Sequence, residues 1–349
     1  MKKALVVLLV LLLVPVAAVA GQVGRITGLK GTARVRAGNN IPYATLKKGD
    51  VISEGNWIKT GPDGWVELTL NDKSRFTLAN NTEFEVTSFL YNGKNRKREG
   101  TFTMTQGKLR ATVVKLGGRQ SGMTVRSGTA VAGIKGTEFL MLSQGPANVF
   151  FGNEGKVAVS GDVKGPQQPL TASTMTQNTR SMTPVAPLNV EAGTPIAEAR
   201  DIFDKVTAPA PPAEWTDSGR IADIIARWNI NYGHYLADSG KYNDSLQVFQ
   251  IALDLTSIAE IRADAYMERG ALYARFLNNP ELALAEYLLV LEEYPKLPQA
   301  ETALFNAAQT LADLGFTDQA RIRFNQYMKE YPAGKHRDNV ETLLRSLEP

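Results

Sequence analysis

From Val23 onward apolar and polar residues alternate over short runs, among them TARVRAG, GWVELTL, RFTLANNTEFEV and GTFTMTQGKLRATVV. A period of two sends successive side chains to opposite faces of a strand. The pairs Asp63-Gly64, Asn71-Asp72 and Asn92-Gly93 punctuate these runs with residues that tolerate positive φ, as hairpin turns require. Many short strands with no helical period between them predict an all-β domain over residues 21–170, a sandwich or jelly-roll-like fold. Between Pro166 and Pro212 fall eight of the 17 prolines, with many Thr and Ser, which predicts a Pro/Thr-rich linker over 171–213. One short helix is expected inside it, PIAEARDIFDKV, with Thr194 as cap and Pro195 at the first helical position. From Asp217 the apolar spacing becomes helical, and residues 214–349 are expected to form an all-α domain.

That helical region repeats itself. Gly233, Gly240, Tyr242, Ser245, Phe249 and Ala252 mark a first copy, and Gly270, Tyr273, Ala283, Tyr287 and Pro295 a second. Leu304, Ala308, Leu311, Gly315, Ala320, Phe324, Tyr327 and Pro332 mark a third, with HRDNVETLLRSL as a closing cap. Pro295 and Pro332 lie 37 residues apart, slightly more than the roughly 34 of a tetratricopeptide repeat. The G-x-x-Y, A-x-x-x-F/Y and Y-P features resemble that family over about 220–332. The resemblance implies antiparallel helix pairs stacked as a solenoid, whose inner groove receives a protein partner. Arg227, His234, Asp264, Met267, Thr302, Phe305 and Gln309 are the groove candidates.

The first half carries a resemblance of its own. GRITGLKGTARVRAG, LKKGDVISEGNWIKTGPDGWVELTLNDKSRFTLANNTEFEV, GTFTMTQGKLRATV, MTVRSGTAVAGIKGTEFLM and NVFFGNEGKVAVSG follow one another in the order of the FecR domain, a periplasmic module of bacterial envelope proteins. The signature block falls on Thr124, Ala130, Gly133, Gly136, Thr137 and Phe139. Gly133 and Gly136 are expected to permit backbone conformations or close strand approach that side chains forbid. Thr137 is expected to bond to its own turn and Phe139 to re-enter the core. Signal-transmitting members carry a cytoplasmic helical segment before a membrane helix. Here only Met1, Lys2 and Lys3 precede the first apolar run, so a sigma-binding role is not carried over.

Lys2 and Lys3, the apolar run from Ala4 to Val14 and the ending Ala18-Val19-Ala20 read as a secretory signal over residues 1–20, cut after Ala20. The mature chain is therefore expected to be exported, periplasmic or secreted, with no transmembrane segment. With no cysteine in the chain, buried apolar surface alone must hold the fold. The net charge of +4 conceals an asymmetry: residues 21–170 carry 21 Lys and Arg against 11 Asp and Glu, whereas residues 171–349 carry 16 against 24. The basic stretch NGKNRKREG places Lys94, Arg96, Lys97 and Arg98 in an expected hairpin loop. They are candidates for an anion contact with envelope polysaccharide, lipid phosphate or the acidic half of the chain. Interleaved aromatics are missing, which argues against nucleic acid.

Catalytic chemistry has little to work with. The two histidines, His234 and His336, are about a hundred residues apart, and no cysteine joins them, which leaves no zinc set of the usual kind. No nucleophile elbow or phosphate-binding loop is present. Neither a cofactor nor a metal is expected. The reading is a non-enzymatic exported envelope protein that binds and scaffolds; a ligand-sensing accessory relaying a signal to a membrane protein and a carboxylate-based hydrolase are the alternatives.

Overall fold

The computed structural model describes residues 21–117, 121–209, 211 and 219–347. The expected signal segment lies outside the described residues.

The N-terminal strands are β1 (Gln22–Lys30), β2 (Ala33–Arg36), β3 (Ala44–Thr45), β4 (Val51–Ser53), β5 (Trp57–Thr60), β6 (Trp65–Leu70), β7 (Arg75–Leu78), β8 (Glu83–Asn92) and β9 (Lys97–Thr112). They continue as β10 (Ser121–Arg126), β11 (Ala130–Ile134), β12 (Glu138–Gln144), β13 (Ala147–Glu154), β14 (Lys156–Gly161), β15 (Gln168–Thr171), β16 (Thr174–Asn178) and β17 (Leu188–Asn189). Two sheets result. Sheet A runs β4-β1-β6-β7-β9-β12-β13-β16-β17. Sheet B runs β3-β2-β5-β8-β9-β10-β11-β14-β15. The long β9 belongs to both: it pairs with β8 and β10 up to Gln106, then with β12 and β7 from Gly107 onward. The switch needs a glycine. Gly107 has φ +112, and a Cβ there would stand 2.3 Å from the Cα of Thr82.

Between the sheets lies the first core, where Ile26, Leu68, Phe76, Phe139, Met141 and Phe150 from sheet A meet Ile58, Phe84, Phe102, Met123, Ile134 and Val157 from sheet B. Phe76, Phe84 and Phe102 pack ring to ring at 4.6 to 5.8 Å between centroids.

The helices are α1 (Pro195–Val206), α2 (Arg220–Asp238), α3 (Tyr242–Leu255), α4 (Ala259–Arg275), α5 (Pro280–Glu293), α6 (Gln299–Asp313), α7 (Thr317–Glu330) and α8 (Arg337–Ser346). Helices α2 to α7 form three successive pairs, and α8 closes the end. Small residues set the spacing. A Cβ on Gly233 would come within 2.3 Å of the Phe249 ring, and one on Gly270 within 2.5 Å of the Tyr287 ring. Glycine inside a helix costs about 1 kcal/mol relative to alanine; here it lets an aromatic of the second helix lie directly on the first. The turns inside the pairs repeat one device, a residue in the left-handed region: Gly240 (φ +75), Asn278 (φ 47) and Gly315 (φ +81).

The segment expected as a linker differs from expectation. β16 and β17 lie within it, and β16 pairs with the central strand β13. Helix α1 follows, with the Thr194 hydroxyl accepting from the Ala197 amide at 3.3 Å, and buries Ile196, Ala199, Phe203 and Val206. Proline and threonine content was read as a lack of packing surface. The buried Met175, Thr176, Gln177, Asn178 and Val185 supply that surface.

A second core forms on the outer face of sheet A. In β12, Phe139 and Met141 point into the sandwich, while Leu140 and Leu142 point out. In β13, Phe150 points in, while Val149 and Phe151 point out. The outward set joins Met175 and Val185 and packs with residues of α1 to α6 in one continuous cluster. Phe151 meets Phe203 edge to face at 6.4 Å. Polar contacts cross the same seam. Gln177 and Asn229, both fully buried, exchange amide hydrogen bonds of 2.6 and 3.1 Å. Gln144 donates to the Leu255 carbonyl at 2.6 Å, and Gln247 to the Thr183 carbonyl at 2.6 Å.

Candidate binding site

The basic loop resolves into two kinds of residue. Lys94 and Arg96 are exposed in the turn between β8 and β9, Arg96 with φ 50, and Lys97 pairs with Glu99 at 3.3 Å. Arg98 is not a loop residue: it is fully buried, which corrects its assignment as an anion contact. It shares the inward parity of Phe102 and Met104 on β9. Its guanidinium pairs with buried Asp72 and donates to the Ser74 hydroxyl at 3.3 Å and the Val114 carbonyl at 2.9 Å. Asp72 in turn accepts from the amide and hydroxyl of Ser74 at 3.0 and 2.8 Å. The pair clamps the β6–β7 turn to both ends of β9; the two desolvated charges neutralise each other, while Arg98 Nε and Nη2 make no hydrogen bond.

On the repeat side, the first helices of successive pairs are linked across their faces. Arg227 of α2 forms an ion pair with Asp264 of α4, and Gln299 of α6 donates to the same carboxylate at 2.6 Å. Farther along the same two helices, His234 of α2 lies 3.1 Å from Glu268 of α4. Burial pushes the Glu268 carboxyl above its ordinary range, and the neighbouring His234 opposes that shift. Met267 is half-buried and packs on the second core; Thr302 is half-buried and Gln309 exposed. Phe305 departs from the groove assignment. It is buried in the terminal core with Phe324 and Tyr327, and its ring stacks on His336 at 4.2 Å with 5° between planes. Thus the structure brings Arg227, Asp264, His234 and Met267 onto adjoining helices and turns Phe305 away.

The signature residues run from sheet B into sheet A: Thr124 lies on β10, Ala130 and Gly133 on β11, and Phe139 on β12. Gly136 has φ +138, and a Cβ there would meet the Cα of Lys115 at 2.7 Å, so the turn requires glycine. Thr137 pairs with Val113 through backbone bonds of 2.9 and 3.2 Å. Its hydroxyl, expected to bond to its own turn, has no partner although the residue is buried. Phe139 is fully buried in the first core, and Gly133 lies on the outer face of β11. No cluster of three or more His, Asp or Glu able to hold a metal occurs among the described residues.

Residues 56–158 match the family model described as FecR protein. The likeness is confined to the β-domain. No curated protein matches it. Among solved structures, one described as "a putative anti-sigma factor from Parabacteroides distasonis ATCC 8503" is 16% identical, with a TM-score of 0.33 over 41% of this chain and 63% of that one. This chain therefore spans less than two thirds of that protein. A second structure under the same description is 17% identical, with a TM-score of 0.33, covering 42% of this chain and 72% of the other. The "First TPR of Spaghetti (RPAP3) bound to HSP90 peptide SRMEEVD" is 14% identical, with a TM-score of 0.31 over 36% of this chain and 94% of that one. Identities and TM-scores at this level carry no function across. Among the described residues, no helix is long and apolar enough to cross a membrane.

Proposed function

We propose that this chain is an exported, non-enzymatic envelope protein that binds and scaffolds. Its β-domain engages an envelope ligand or neighbouring protein while the repeat helices hold a protein partner. The observation that carries this reading is the second core, which joins the outer face of sheet A to α1 through α6 in one cluster and fixes the two modules relative to each other. A seam of apolar side chains closed by the Gln177–Asn229 amide pair suits a rigid platform better than a tethered pair of domains. The linked side chains of α2, α4 and α6, together with exposed Gln309, supply the polar groups that a protein partner would meet.

The same core favours a second reading, a ligand-sensing accessory that relays its state to a membrane protein. Strand β13 has one face in each core, so a change in the β-domain reaches the helices through packed side chains.

The test is photocrosslinking from Thr302 and Gln309 in intact cells, with the mature N-terminus sequenced in parallel. The expected result is a discrete protein adduct and a chain beginning at Gly21. Adducts to lipid or glycan alone, or a chain retaining Met1 in the cytosol, would reject the reading.

A further inference from the structure

The outer face of sheet B holds a groove of about 710 Å³ at the end where β10, β11 and β14 lie side by side. Its floor is made of small side chains, Gly122, Thr124, Gly133 and Ala158, at positions where alternation points residues away from the first core. The rim carries Lys115, Lys135 and Lys156, all exposed. No acidic side chain lines the groove, and none of these lysines makes an ion pair, among the described residues. Thr137 also lines it; the residue is 5% exposed and its Oγ1 has no hydrogen-bond partner. A hydroxyl left unpaired in this way is available to donate to a ligand acceptor.

We propose that this groove is a docking site for an acidic, extended peptide segment of a partner protein. Three cations with no internal counter-charge select a ligand bearing several carboxylates. Glycines on the floor let a peptide backbone approach the sheet closely. The side chains of Met123 and Ile134 at this end are turned into the first core, so a docked segment meets the lysines and the small residues of the floor. A sugar chain fits less well, because no aromatic ring lines the groove to stack on a pyranose face. The cleft is open to solvent, so it does not enclose an acyl chain. The site is separate from the exposed Lys94 and Arg96 of the β8–β9 turn, neither of which lines it. This proposal rests on the reading of the β-domain as a binding module and is independent of what the repeats hold.

The floor glycines give a clean test. A Cβ on Gly133 would meet only the Ala158 carbonyl oxygen at 3.7 Å and Cβ at 3.9 Å, and one on Gly122 only the Ile134 carbonyl at 4.0 Å. Gly133→Val and Gly122→Leu therefore fill the groove without strain, and valine favours a strand. The probe is a fluorescein-labelled peptide of alternating Glu and Val, titrated into the full mature chain by fluorescence polarisation. Its Gln/Val counterpart, inorganic phosphate and phosphatidylglycerol vesicles serve as competitors. The expected result is salt-sensitive binding of the Glu peptide alone. It should be weakened on the order of tenfold by Lys115→Gln, Lys135→Gln and Lys156→Gln together, and lost in the filled variant at unchanged melting temperature. No binding, equal binding by the filled variant, or displacement by phosphate or vesicles would overturn the proposal. Cell crosslinking from Gln309 is unaffected by these substitutions, so the two readings fail separately.

Discussion

The two outer faces of the sandwich come from the same alternation, yet one is sealed and the other open. On sheet A the outward positions of β12 and β13 are Leu140, Leu142, Val149 and Phe151, and helices cover them. On sheet B the corresponding outward positions of β10, β11 and β14 include Gly122, Thr124, Gly133 and Ala158, and no element of the described chain covers them. What docks on a sheet is decided by which residues occupy the outward half of each strand. Large aliphatic and aromatic side chains recruited the chain's own helices; small ones beside lysine left a surface for something else.

The largest expected effect comes from removing the sealed face. Phe151→Ala deletes a fully buried ring shared by β13 and α1, and should cost about 3–5 kcal/mol. Thr124→Val on the open face should change stability by less than about 0.5 kcal/mol. Chemical denaturation of both variants measures the contrast directly, and equal losses would erase the distinction between the faces.

Next in size is the buried ion pair. Asp72→Ala strands the Arg98 charge inside sheet B, at an expected cost of about 3 kcal/mol or more, whereas exchanging both residues for apolar ones of similar volume should recover much of it. Melting of the single and double variants is the check, and an Asp72→Ala protein as stable as the parent would mean Arg98 finds water instead.

Across the seam, Gln177→Leu leaves the Asn229 amide buried without its partner and should cost about 1–3 kcal/mol. Replacing Asn229 as well should return part of the loss.

A pH effect of on the order of 2 kcal/mol is expected in strong alkali. Burial pushes the Tyr287 phenol up to about 12. The folded state thus holds this proton more tightly than the unfolded chain, whose phenol titrates near 10. The contribution is complete below about pH 10 and is lost as pH rises toward 12. Tyr287→Phe should flatten the decline in stability over that window, measured by urea midpoints at successive pH values.

Much of this was legible in the chain. Period-two runs marked the strands, the recurrence of Gly233 and Gly270 with Phe249 and Tyr287 marked the stacked helix pairs, and Thr194-Pro195 marked the start of α1. Three things were obscured. In FLML and VFF the alternation is hidden, because both faces of β12 and β13 are buried and every one of these positions is apolar. Arg98 reads as part of a solvated basic run, although its parity with Phe102 and Met104 places it inward. The proline-rich stretch masks β16, whose buried Thr, Gln and Asn side chains are satisfied by hydrogen bonds rather than by apolar packing. In each case the missing information was the partner surface, which lies far away in sequence.

The β-domain and the helical domain share one core and unfold together. Single-tryptophan variants retaining Trp57 in sheet B or Trp228 in α2 report the two regions separately during urea unfolding. The expected result is coincident midpoints, shifted downward together by Phe151→Ala. Two separate transitions, with Phe151→Ala moving only one of them, would contradict it.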